Sequence, residues 1–159
     1  MDKKLFITIC LILLCFSLSA NRNASLNISF TIPQVETITI NDSQLNFNLN
    51  YSGQPNQLYE PRIIPTSYNI TSTSSSPKRL LASLDQSMPN NVFLEVNAEA
   101  PTGAISLGYV QLDSSTKPIV TGITSVNEHS RVMNFRLSAT LGAQVAINQN
   151  RVVTFTISD

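Results

Sequence analysis

The segment Leu26-Asn27-Ile28-Ser29-Phe30-Thr31-Ile32 decides how this chain is read. Large apolar residues stand at every second position, with Asn27, Ser29 and Thr31 between them. Successive side chains of an extended backbone point to opposite sides, so this stretch has one apolar and one polar face. A helix would scatter the same residues around its circumference. Pro33 ends the run. The rhythm returns in Thr37–Ile40, where Asn41-Asp42 turns the chain, and in Leu45, Phe47, Leu49 and Tyr51, which alternate with Asn46, Asn48 and Asn50.

Further strands are expected at 67–73, 79–84, 92–98, 105–112, 118–123, 132–141 and 151–158. Turn chemistry separates them: Ser74-Ser75-Ser76-Pro77, Pro89-Asn90-Asn91, Pro101-Thr102-Gly103, Asp113-Ser114-Ser115, 127–130 and Asn148-Gln149-Asn150. Ser52–Pro65 carries Gly53, Pro55, Pro61 and Pro65 and reads as an irregular crossing loop. Helical spacing is confined to 77–86, where Leu80, Leu81 and Leu84 fit a turn or two of helix, though a strand fits as well. Short strands at this spacing specify an all-β chain, a single antiparallel β-sandwich of nine or ten strands. At 159 residues one domain is expected.

Upstream of the deciding segment, Lys3 and Lys4 precede an apolar run from Leu5 to Leu14, and Ser17, Ser19 and Ala20 follow. A charged start, a short apolar run and a small-residue exit describe a secretory signal peptide over 1–20, leaving 21–159 as the sandwich. A membrane anchor needs ~20 apolar residues, more than this run supplies. A lipid-modified Cys15 would want a small residue before it, and Leu14 is not small. Cleavage after Ser19 or Ala20 removes Cys10 and Cys15, the only two cysteines. The remaining chain then has no thiol for a disulfide, a metal or nucleophilic catalysis. The expected destination is outside the cytoplasm: extracellular, periplasmic or on the cell surface. No apolar run follows the last strand, so no membrane span is expected once the leader is gone.

The charges balance, with ten basic and ten acidic residues. Loss of Lys3, Lys4 and Asp2 leaves eight and nine. Without a basic excess, nucleic-acid binding lacks its main driving term. No phosphate-binding glycine loop is present, and Lys78-Arg79 is the only adjacent basic pair.

Catalytic groups are sparse. His129 is the only histidine, it falls in a turn, and no G-x-S-x-G elbow accompanies it. Glu95 and Glu99 share the outward face of one strand, ~13 Å apart along it, too far for a glycosidase pair. Asp113 has no acidic neighbour with which to hold a cation. No cofactor is expected, and the chain reads as a non-enzyme. Five N-x-S/T sequons occur, near what chance gives in a chain this rich in Asn, Ser and Thr.

The order of Leu26–Pro33, Tyr68–Ser72, Asn91–Val96, Ile119–Ile123 and Arg151–Ile157 resembles that of bacterial fimbrial or pilin-like subunits, secreted immunoglobulin-like sandwiches. The resemblance implies about nine strands, a structural or adhesive role at the cell surface, and assembly with other subunits, copies of the chain included. It also implies that Leu26, Ile28, Phe30 and Ile32 are donated as a strand that fills a neighbour's groove. The same residues read first as the chain's own first strand. Two departures stand out: many such subunits carry a disulfide, and Ser158 replaces the penultimate aromatic of the best-known class. The other reading is a carbohydrate- or ligand-binding sandwich. Its exposed aromatics would come from Tyr51, Tyr59, Tyr68 and Tyr109, with Tyr59, in the long loop, foremost.

Overall fold

The computed structural model describes residues 24–54, 57–144 and 149–159. The signal peptide expected over 1–20, with Cys10 and Cys15, lies outside the described residues. The chain divides between Ile32 and Pro33. In the first unit, residues 24–32 have no strand assigned. The second unit, Pro33–Asp159, is all-β, and no helix occurs among the described residues.

Its strands are β1 (Glu36–Ile40), β2 (Tyr51–Gln54), β3 (Gln57–Tyr59), β4 (Arg62–Ser72), β5 (Lys78–Leu84), β6 (Val92–Ala98), β7 (Ile105–Ser106), β8 (Val110–Gln111), β9 (Lys117–Ile123), β10 (Val126–Ala139) and β11 (Val153–Ser158). They form a five-stranded sheet, β1-β4-β10-β6-β8, and a four-stranded sheet, β11-β5-β9-β7, with β2-β3 as a separate hairpin. The paired strands are antiparallel throughout.

Period-two patterning drives this sandwich-like arrangement. Tyr68, Ile70, Leu80, Val96, Ile119 and Met133 come from both sheets and are fully buried in one apolar cluster. Burying each such side chain contributes roughly 1.5–3 kcal/mol. The 79–84 segment is strand, not helix, because Leu80, Ala82 and Leu84 face the core while Leu81 and Ser83 stay half-exposed.

Four expectations need correction. Leu45–Asn50 alternates but carries no strand assignment. Ser52–Pro65 is no irregular loop: it contains β2, β3 and the start of β4. Proline is tolerated at 65 because β1 pairs with β4 only from Tyr68 onward, which leaves β4 a bare edge there. The expected 105–112 strand is split into β7 and β8 around Leu107–Tyr109. The expected turn at 127–130 is a bulge inside β10, where the register shifts between Glu128 and Arg131 and Ser130 takes φ 57°.

That bulge serves a polar latch. Arg131 bonds the Ala100 carbonyl and pairs with Glu99 at 2.9 Å and Glu128 at 3.4 Å. Glu128 accepts from the Thr102 amide at 2.8 Å. Beneath them, the Tyr68 hydroxyl donates to the Glu99 carbonyl at 2.5 Å. Tyr68 is thus an interior residue and no surface aromatic. Burial pushes its hydroxyl up to about 12, against the opposing pull of Arg131.

A folded-state value above the unfolded one makes Tyr68 favour the fold below pH ~10 and lose that contribution as pH rises towards 12. Ultraviolet titration of tyrosinate is expected to show one of the four tyrosines ionising well after the others. Chemical denaturation should show stability falling over the same interval, and Tyr68→Phe should flatten that fall.

Candidate functional site

Each sheet must end at two strands, and the ends differ. At one side lie β7 and β8, two residues each, too short to offer much unpaired backbone. At the other side lie β1 and β11, five and six residues long, which sit against each other. Among the described residues, β1 pairs only with β4 and β11 only with β5, so each has one bare edge.

Apolar residues line this flank. Ile38 and Ile40 of β1 and Val153, Phe155 and Ile157 of β11 face the core yet remain only half-buried. Their partners one strand inward are buried: Ile70 and Tyr68 on β4 for the β1 residues, and Leu84, Ala82 and Leu80 on β5 for the β11 residues. Phe155 meets Phe135 edge-on, with centroids 6.4 Å apart and planes at 76°. Thr37, Thr39, Thr154 and Thr156 face water. The flank is therefore a core margin without an outer strand over it.

One end of the flank is clamped electrostatically. Lys78 on β5 pairs with Glu36 at 3.4 Å and with Asp159, and Arg79 bonds the Asp159 main-chain oxygen. The hydrogen bond from Lys78 holds the Asp159 carboxyl below the usual carboxylate range. The same bond raises the Lys78 ammonium above its ordinary value.

At the other end the chain bows. Asn41 N–H donates to the Ser67 carbonyl at 2.9 Å, and Glu60 N–H donates to the Asn50 carbonyl at 3.0 Å. Nine steps of chain from 41 to 50 thus face seven from 60 to 67, two in excess. Leu45, Phe47 and Leu49 are half-buried, the first two against the core cluster. Among the described residues, Leu45–Leu49 makes no ladder hydrogen bond.

The four residues singled out for strand donation are all exposed: Leu26 83%, Ile28 77%, Phe30 81% and Ile32 80%. Tyr59 is half-buried in β3, opposite Tyr51. His129 is exposed. Glu95 is held bidentately by Arg136 at 2.7 and 2.9 Å, and that guanidinium stacks 4.0 Å from the Tyr109 ring. Asp113 accepts from Ser115 at 2.7 Å and pairs with Lys117 at 2.6 Å. The Lys117 and Ser115 bonds hold its carboxyl down to about 2.

A second concavity lies on the outward face of β6 and β10. It is an open cleft of about 610 Å³ lined by Asn97, Glu99, Ser106, Gly108, Val132 and Asn134, with Ala100. Asn97 and Asn134 are register partners, and Ser106 donates to Asn97 at 3.2 Å. Neither Tyr59 nor Tyr109 lines it.

The chain matches no protein-family model, no curated protein and no solved structure. Its function is therefore argued from its own residues. The sequence pattern marked 26–32 but did not mark Ile38, Ile40, Val153, Phe155 and Ile157 as a margin. Their alternation is the same as that of the central strands, and only sheet order separates the two.

Replacing Lys78 by Met removes both of its ion pairs. Hydrogen exchange is expected to speed up at Thr156–Ser158 while β6 keeps its protection. In the unsubstituted chain the same acceleration should appear as pH falls below the usual carboxylate range, when Asp159 takes its proton.

Proposed function

We propose that this chain is a non-enzymatic structural subunit, exported and assembled with further copies of itself at the cell surface. Residues 26–32 of one copy add as a strand to the open flank of another, at its bare strand edges. The fold on this reading is an immunoglobulin-like sandwich that gains its outer strand from a neighbour, as the resemblance to fimbrial subunits implies.

The carrying observation is the exposure of Leu26, Ile28, Phe30 and Ile32, all at or above 77%. Soluble chains expose single apolar residues freely, but four on one face in succession mark an interaction site. Burying four such side chains is worth on the order of 6–12 kcal/mol. Fixing seven backbones costs roughly 7–14 kcal/mol. Side-chain burial alone therefore does not hold the segment. Bare strand edges add main-chain hydrogen bonds and tip the balance.

The flank supplies such edges and a half-buried apolar floor. The segment has no charge, so it brings none into that floor. Supporting the non-enzymatic reading, Glu95 and Glu99 are engaged by Arg136 and Arg131. A saccharide-binding role finds its best support in the Asn97–Asn134 cleft, whose half-buried amides suit sugar hydroxyls.

Expressed from Asn21, the chain is expected to form concentration-dependent oligomers in size-exclusion chromatography with light scattering. The Ile28→Asp/Phe30→Asp variant should elute as a monomer with an unchanged far-ultraviolet spectrum. A parent chain that stays monomeric up to millimolar concentration would remove the proposal.

A further inference from the structure

We infer that the bowed stretch Asp42–Leu49 is a placeholder: it lies beside the unpaired start of β4, on the apolar bed that Leu45 and Phe47 touch, until residues 26–32 of a second copy displace it. This inference builds on the assembly reading and adds a gate to it.

The first ground is composition. Leu45-Asn46-Phe47-Asn48-Leu49 repeats the plan of Leu26-Asn27-Ile28-Ser29-Phe30, large apolar residues separated by small polar ones. The second ground is the attachment. Leu45 and Phe47 touch the core cluster through side chains only, while the backbone from 45 to 49 makes no ladder bond among the described residues. A true edge strand would hold the bed by both means.

The third ground is slack. The bow is tied at its ends, by Asn41 to Ser67, by Thr66 donating to Asp42 at 2.6 Å, and by Asn50 to Glu60. Two surplus residues between those ties let it lift without breaking them. The fourth ground is the edge it fails to cover. Among the described residues, β4 from Arg62 to Thr66 pairs with β10 on one side and with no strand on the other.

The exchange has a consistent direction. The bow offers Leu45, Phe47 and Leu49, each half-buried, and leaves backbone groups to water. An incoming strand offers four apolar side chains and a full row of N–H and C=O groups. Displacement thus increases both apolar burial and backbone pairing, while the placeholder shields the bed in the unassembled chain. Its irregular backbone also keeps the flank from pairing with arbitrary strands.

The test uses the chain expressed from Asn21, held dilute, and a labelled peptide of residues 24–33 in excess. Association is followed by fluorescence anisotropy. Leu45→Ser/Phe47→Ser is expected to speed association about tenfold, which corresponds to ~1.4 kcal/mol. The outward-facing control Asn46→Ser/Asn48→Ser should leave the rate unchanged. A second readout does not depend on weakening the core. Leu45→Cys places a single thiol in this otherwise thiol-free chain, and its maleimide labelling should accelerate several-fold when peptide binds.

Peptide that binds equally fast to the parent and to the serine variant, with no change in thiol labelling, would make the bow a fixed wall and overturn the inference. Assembly would stand in that case. If no peptide binds the parent or any variant, the assembly proposal fails and takes the placeholder with it.

Discussion

Two sheets bury one face each against the other, and every other feature follows from where that burial stops. In the interior, Ile70, Leu80, Val96, Ile119 and Met133 are sealed by neighbours on all sides. At β1 and β11 the same inward-facing pattern continues, but among the described residues no further strand pairs beyond them. Ile38, Ile40, Val153, Phe155 and Ile157 are therefore core residues by direction and margin residues by exposure. A core without thiols has no covalent means of closing such a margin.

The protein treats its edges unequally. β7 and β8 are cut to two residues each, which leaves little backbone to pair with a stranger. β4 carries Pro65 where its edge is bare, removing a donor. The flank of β1 and β11 has no comparable device. It has a clamp at one end, Lys78 with Glu36 and Asp159, and a loosely held bow at the other. A long, half-apolar edge is a liability in a solitary protein and a docking feature in an assembling one. On the proposed assembly, Leu26, Ile28, Phe30 and Ile32 would supply the matching half.

Polar chemistry in the second unit works mostly for structure. The Arg131 latch ties the β6–β7 connection to the bulge in β10, and Tyr68 anchors it from below. Arg136 pairs with Glu95, and Lys117 with Asp113. The Asn97–Asn134 cleft brings together amides from adjacent strands.

The all-β class and the faces of most strands follow from residue order, because a side-chain period of two is a local property of extended backbone. β5, β6 and β9 lie within a residue of where their alternation places them. Leu45–Asn50 alternates as cleanly and is not a strand, because a strand also needs a partner's hydrogen-bonding groups, and the bow holds it off β4. The stretch 52–65 looks like a loop by its prolines, yet Pro65 is accommodated where only sheet order could reveal a bare edge. Residue order by itself thus determined which side chains turn inward. Tertiary structure decided which of those reach the sealed interior and which form its open margin, since an edge is defined by the strand that is not beside it.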